Sequence, residues 1–307
     1  MSALPSPPLA DPTAVRRLSI DVGRRLDGLL QGDHLGYLPG PGSEPAESRA
    51  YAVGDDVRRM DWAVTARTGE PHIRTAVAER ELETTVVLDL SASMSFGTAR
   101  AEKRDVALAV AAAFLHLGSG PGDRVRAIVA GTEAVRTLPS RSGRDGAVVT
   151  LSALLRHPRA ISSGTGLARA LTTLNAVPRR RGLTVVISDL LDSPDGWSRP
   201  LRVLAARQDV VVAHVVDRRE LNLPNAGTLR LVDPETGRQL EVATTARTRA
   251  RYAEAAQARL ASQRTTVRSA GAGHALIQTD TDWLPQLARF LLTRRRTRAA
   301  LRPSGAR

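Results

Sequence analysis

The chain has 307 residues, a formal net charge of +13, no cysteine and 3% aromatic residues. That length admits one large core or two modest ones, and the missing cysteine excludes both a disulfide framework and a thiolate metal site. Such a charge would ordinarily suggest nucleic acid or an anionic membrane. However, Lys103 is the only lysine among 44 basic residues, so the basicity is almost wholly arginine. With the many Ala and Gly residues, this skew fits high-GC codon usage, and aromatic platforms for stacking bases are few.

Residues 1–12 are rich in Pro, Ala and Ser, with neither a basic n-region nor an apolar h-region. They read as a disordered leader and not as a signal peptide. No apolar run approaches the roughly 18–20 residues of a membrane span, so a cytoplasmic, soluble protein is expected. Residues 13–83 read as an N-terminal helix plus a β-ribbon region. Val15, Leu18, Val22, Leu26, Leu29 and Leu30 recur at helical spacing. A turn-rich loop from Leu38 to Pro45 follows, then short strands at 49–53, 60–64 and 72–74 with turns at 54–56 and 68–71. Asp55, Asp56 and Asp61 among Arg58, Arg59 and Arg67 suggest an ion-paired ribbon anchored by Trp62, with a partner-docking surface as the functional alternative.

From residue 84 strands and helices alternate, as in a doubly wound, mostly parallel α/β sheet covered on both faces. Strands are expected at 84–90, 124–130, 134–138, 183–188, 210–216 and 274–278. Helices are expected at 102–117, 144–156, 165–176, 197–207, 246–269 and 283–300. A hairpin is expected over 228–243, turning at Asp233–Gly237. The main domain should span 84–280, with 281–307 as a C-terminal helix and basic tail.

The most informative run is Thr84 to Met94, where a β-branched strand ends in Asp89, Ser91 and Ser93. Alternation aims these three oxygen groups at one spot if the chain turns at the strand end. Hard oxygens suit Mg²⁺ better than zinc or copper. Ser162-Ser163-Gly164-Thr165-Gly166 then opens a helix, and strand 183–187 ends in Ser188-Asp189. Taken singly, each piece has an ordinary explanation: Ser91 and Ser93 as helix caps, Thr165 as an N-cap, Asp189 closing a turn with Asp192.

The run 89–93 resembles the D-x-S-x-S signature of von Willebrand factor type A domains. Thr165 and Asp189 resemble the second and third motifs of their metal-ion-dependent adhesion site, in the same order. The resemblance implies a divalent cation, Mg²⁺ or alternatively Mn²⁺, held by Asp89, Ser91, Ser93, Thr165 and Asp189, with an acidic side chain of a partner completing its shell. Upstream, Arg49, Tyr51, Gly54, Asp55, Asp56, Arg58, Asp61 and Trp62, then Ala66-Arg67, Glu79 and Glu81, resemble the block that the bacterial domain-of-unknown-function 58 family carries ahead of such a domain. Glu44-Pro45 and Met60 depart from that pattern at packing positions. This family resemblance implies partnership with a MoxR-type AAA+ ATPase in assembling, activating or remodelling client proteins.

The expected function is therefore a non-enzymatic, metal-dependent protein-interaction module, with no catalytic residues assigned. The six histidines lack zinc spacing, and no dinucleotide fingerprint, P-loop or G-x-S-x-G elbow is present. His34, in the family-like Gly32-Asp33-His34 segment, is read as structural. A metal-dependent phosphatase using Asp89 is the enzymatic alternative, although the second aspartate it would need is replaced by Ser91. Arginine-mediated nucleic-acid binding through Arg294, Arg295, Arg296, Arg298, Arg302 and Arg307 is another alternative. It is weighed against a cation-favoured helix end followed by a frayed terminus.

Overall fold

Apolar residues at helical spacing give the first helix. In the computed structural model, which describes residues 12–30, 48–52, 55–74, 82–98, 101–131, 135–159, 166–177, 182–234 and 236–300, α1 spans Pro12–Leu30. It buries Val22, Leu26 and Leu30, while Leu29 faces outward. The expected leader, apart from Pro12, and the 38–45 loop lie outside the described residues.

The ribbon region differs from expectation. β1 (Ser48–Ala50) pairs antiparallel with β2 (His72–Arg74), but residues 60–64 do not form a strand between them. Instead α2 spans Trp62–Thr68. The Asp61 carboxylate accepts from the Val64 N–H and caps its start, and Gly69 closes its end in the left-handed conformation. These two cap signals outweigh the short apolar alternation Met60–Val64. Trp62 is no anchor either, because it is 70% exposed. Among the described residues of this region, Arg49 and Asp55 form an ion pair at 2.5 Å.

The main sheet is built as the alternation predicts. β3 (Glu83–Asp89) leads through α3 (Lys103–Leu117) to β4 (Arg124–Ala130), followed by β5 (Val135–Thr137), β6 (Arg141–Ser142) and α4 (Gly143–Leu155). Then come α5 (Gly166–Ala176), β7 (Gly182–Ser188), α6 (Pro194–Ala205), β8 (Asp209–Val216) and a short α7 (Arg218–Leu221). The hairpin β9 (Thr228–Val232) and β10 (Gln239–Ala243), α8 (Ala246–Ser269), β11 (Gly273–Gln278) and α9 (Trp283–Ala300) complete the described chain. The sheet order is β11-β8-β7-β3-β4-β5, with β6 also on β4; the first five strands are parallel and the two short ones antiparallel.

Strand residues alternate between two apolar layers. Val86 and Leu88 pack with α1, α3, α4 and α9, whereas Val87 packs with α5, α6 and α8. This double burial is why the central strands read as continuous Val/Ile/Leu runs. α3 crosses from β3 to β4 in the first layer, and α6 crosses from β7 to β8 in the second. The connections leaving adjacent β3 and β7 therefore diverge, which opens a crevice at their carboxyl ends, where open α/β sheets place ligands.

Candidate functional site

That crevice is where the sequence places its oxygen ligands. Asp89 ends β3 and Asp189 follows β7; both are nearly inaccessible, at 5% and 3% exposure. Asp89 Oδ1 accepts from the Ser91 N–H at 3.0 Å, and its Oδ2 accepts from Ser188 Oγ at 2.6 Å. The Ser91 and Ser93 hydroxyls lie 3.1 Å apart on a 3₁₀ turn over Ala92–Ser95. Neither serine caps α3, whose N-terminus carries a reciprocal Glu102–Asp105 capping box. Asp189 Oδ1 accepts from the Leu191 N–H at 3.2 Å, and so closes a turn beside the site. Thr165 lies outside the described residues. The next residue, Gly166, starts α5 at the carboxyl end of β4, where an added Cβ would stand 2.5 Å from the Gly131 carbonyl oxygen.

Burial, and after it the charge of Asp189, push the Asp89 carboxyl up to about 7, against the hydrogen bonds from Ser188 and Ser91. The two buried carboxylates place like charges close enough in the crevice to repel each other. Lys103, completely buried at the start of α3, answers part of that charge. Its Nζ donates to Asp189 Oδ2 and to Glu220 Oε1, each at 2.6 Å. Burial disfavours its charge, but Asp189 and Glu220 more than offset this and raise its pKa above the ordinary lysine value.

Two further arrangements fix the same edge. His214 Nε2 lies 3.0 Å from the Asp189 carbonyl oxygen, and His214 Nδ1 lies 3.1 Å from His274 Nε2. Burial holds these rings down to about 3 and about 4, so both are neutral. His214 then donates from Nε2 to the Asp189 carbonyl and accepts at Nδ1 from His274. Leu190, next in sequence, is the one non-glycine residue with positive φ (54°) among those described, and Gln263 Nε2 donates to its carbonyl at 2.7 Å. Backbone strain of this kind concentrates at functional sites. Asp217 at the end of β8 accepts from Thr98 N–H and Oγ1, Arg219 N–H and Thr279 Oγ1, tying the loop after Ser93 to two strand ends.

Asp89, Ser91, Ser93 and Asp189 thus share one crevice. Ser188, Lys103 and Glu220 belong to it without having been singled out from the sequence. The sole lysine was visible as an oddity of composition, but nothing local linked it to residues 86 and 117 positions away. The donor set fits a hard divalent ion: hydroxyls and carboxylates only, with carboxylate charge that one ammonium does not cancel. Among the described residues no group of three or more His, Cys, Asp or Glu side chains could hold a metal, so an ion here would depend on the hydroxyls.

A doubly wound α/β protein with an oxygen-lined crevice at its topological switch point is what this chain's own geometry defines. The chain belongs to the family described as "Protein of unknown function DUF58", which matches residues 47–262. It is 48% identical over 284 residues to the uncharacterized protein Mb1516 of Mycobacterium bovis, covering 92% of this chain and 89% of that one. The same figures hold for the uncharacterized protein Rv1480 of Mycobacterium tuberculosis. Among solved structures it is similar to the conserved hypothetical protein BatB from Bacteroides thetaiotaomicron, with a TM-score of 0.46, 18% identity, and 70% and 99% of the two chains covered. It is also similar to the SpRpn10 VWA domain, with a TM-score of 0.38, 10% identity, and 68% and 94% covered. No helix among the described residues is long and apolar enough to cross a membrane.

Proposed function

We propose that the chain is a non-enzymatic protein-interaction module of the cytoplasm whose docking edge is organised by Mg²⁺, with Mn²⁺ as the alternative. Asp89, Ser91, Ser93 and Asp189 would hold the ion, with Thr165 as the fifth group. When bound, the ion supplies a Lewis-acidic centre for a carboxylate offered by a partner protein. The observation that carries this reading is the buried Asp89–Asp189 carboxylate pair lined by the Ser91, Ser93 and Ser188 hydroxyls at the crevice between β3 and β7. Phe96 and Leu191, 38% and 42% exposed on the two loops that leave this crevice, offer apolar surface beside it. An apolar contact next to a charged anchor suits a protein partner better than a small solute. A MoxR-type AAA+ ATPase is the partner class proposed from family resemblance, in assembly, activation or remodelling of other proteins.

The test is calorimetric titration of Mg²⁺ and Mn²⁺ into the metal-free full chain, wild type beside Asp89→Ala. Saturable binding to the wild type alone is expected, followed by chelator-sensitive capture of the ATPase. Absence of binding would remove the main support. Release of phosphate from a generic ester, lost in Asp89→Asn, would favour the phosphatase alternative. Nucleic-acid affinity that falls steeply with salt and ignores Asp89 would favour the arginine alternative.

A further inference from the structure

Lys103 is out of place by every ordinary rule. It is the only lysine in an arginine-rich chain, it is completely buried, and it occupies the first position of α3, where the helix dipole disfavours a cation. What holds it there is a pair of carboxylates, Asp189 Oδ2 and Glu220 Oε1, each 2.6 Å from Nζ, with the Phe96 ring 5.9 Å away. A compact ammonium with three donors fits between two carboxylates from different elements, whereas a planar guanidinium fork does not. Asp189 Oδ1 is taken by the Leu191 N–H, so the oxygen that Lys103 occupies is the one not already spent on the backbone.

We propose that Lys103 is the built-in counter-cation of this crevice and sets its affinity for a divalent ion. In the metal-free protein the ammonium serves Asp189, and an ion that uses Asp189 must take it from Lys103. Glu220 is the second partner that receives the ammonium. Its Oε2 already accepts from the Asp217 N–H at 2.9 Å, which fixes the carboxylate at the start of α7. Lys103 therefore weakens the metal site relative to the bare carboxylates, and Glu220 counteracts that weakening by drawing the ammonium away. This inference rests on the metal reading above but makes a separate claim, with opposite signs for two substitutions.

The experiment is titration of Mn²⁺ into the full chain, followed by electron paramagnetic resonance of the free ion, for wild type, Lys103→Met and Glu220→Gln. Lys103→Met is expected to bind about tenfold tighter than wild type, because Asp189 and Glu220 lose their cation. Glu220→Gln is expected to bind about tenfold weaker, because the ammonium then serves Asp189 alone and one negative charge is gone. A purely structural lysine would lower stability in Lys103→Met and leave its affinity at the wild-type value. If Lys103→Met does not fold, Lys103→Gln, which keeps hydrogen-bond donors but no charge, takes its place with the same expected tightening. Equal affinity in all forms that fold overturns the inference and leaves the metal reading intact. Binding by Lys103→Met but not by wild type overturns the metal reading for the native chain and upholds the role of Lys103. Absence of binding in every form overturns both.

Discussion

Asp89 sits at the end of a strand with both carboxylate oxygens hydrogen-bonded and a second carboxylate facing it. Its pKa of about 7 in the folded chain stands above the ordinary aspartate value of about 4, so the folded protein holds this proton more tightly than the unfolded chain. The sign follows: the contribution to stability is full below about pH 4 and is lost as pH rises through about 7. The drop in melting temperature of the metal-free protein between about pH 5 and about pH 8 should therefore be larger in wild type than in Asp89→Asn. Equal drops would show that Asp89 does not titrate in that window. Asp217 is the opposite case, because burial opposes its charge yet donors from Thr98, Arg219 and Thr279 hold its pKa below the usual value. Asp217→Ala strands those donors and should cost about 2–3 kcal/mol in urea unfolding. At this scale the sequence revealed the ligand types, because a strand followed by alternating hard oxygens is a local pattern. It did not reveal Ser188, Lys103 or Glu220 as members of the site, because their partners come from β3, the loop after β7, and the neighbourhood of β8.

The elements after residue 83 were legible because their period is unambiguous. α8 and α9 begin and end where the spacing places them, and the central strands are apolar on both faces. What escaped was short or decided by caps: β6 has two residues and α7 four, and α2 alternates like a strand over Met60–Val64 while Asp61 and Gly69 specify a helix. Asp61 also accepts from Ser48 Oγ at 2.7 Å, so one carboxylate both caps α2 and ties it to β1. Asp61→Ala should cost this region about 1–2 kcal/mol, read as faster hydrogen exchange at the Val64 amide. Exchange unchanged at Val64 would mean that the helix does not depend on its cap. Gly166 is the matching test at the site edge. Gly166→Ala places a methyl against the Gly131 carbonyl and should destabilise by about 1–3 kcal/mol in urea unfolding.

For the whole molecule, the core extends beyond the span that defines the family. Val22 and Leu26 of α1 and Leu284 and Leu287 of α9 belong to the same buried cluster as Val86 and Leu88 of β3. A fragment of residues 47–262 would lose these helices and β11, leaving β8 as an unpaired edge and uncovering part of the layer that α3 and α4 share with α1 and α9. It should therefore give no cooperative melt by circular dichroism; a sharp transition would show that the terminal helices are dispensable. The basic C-terminal helix is partly accounted for inside the fold, since Arg294 pairs with Asp209 at 2.5 Å and donates to the Val210 carbonyl at 2.9 Å. That contact turns one of the tail arginines into a clamp between α9 and β8, away from any external anion.

The burial of Lys103 also makes the chain its own unfolding gauge. Amine-directed reagents meet no exposed lysine on the native surface, so acylation or aldehyde cross-linking is confined to the chain's terminal amine while the fold holds. A lysine-specific endopeptidase has a single target bond, Lys103–Arg104, and its side chain is sealed inside the crevice. Each molecule cut there into two pieces is one that has opened. The ratio of intact to cleaved chain after a brief digestion therefore reports the open population wherever opening and closing are fast relative to cleavage, without a dye or an engineered label.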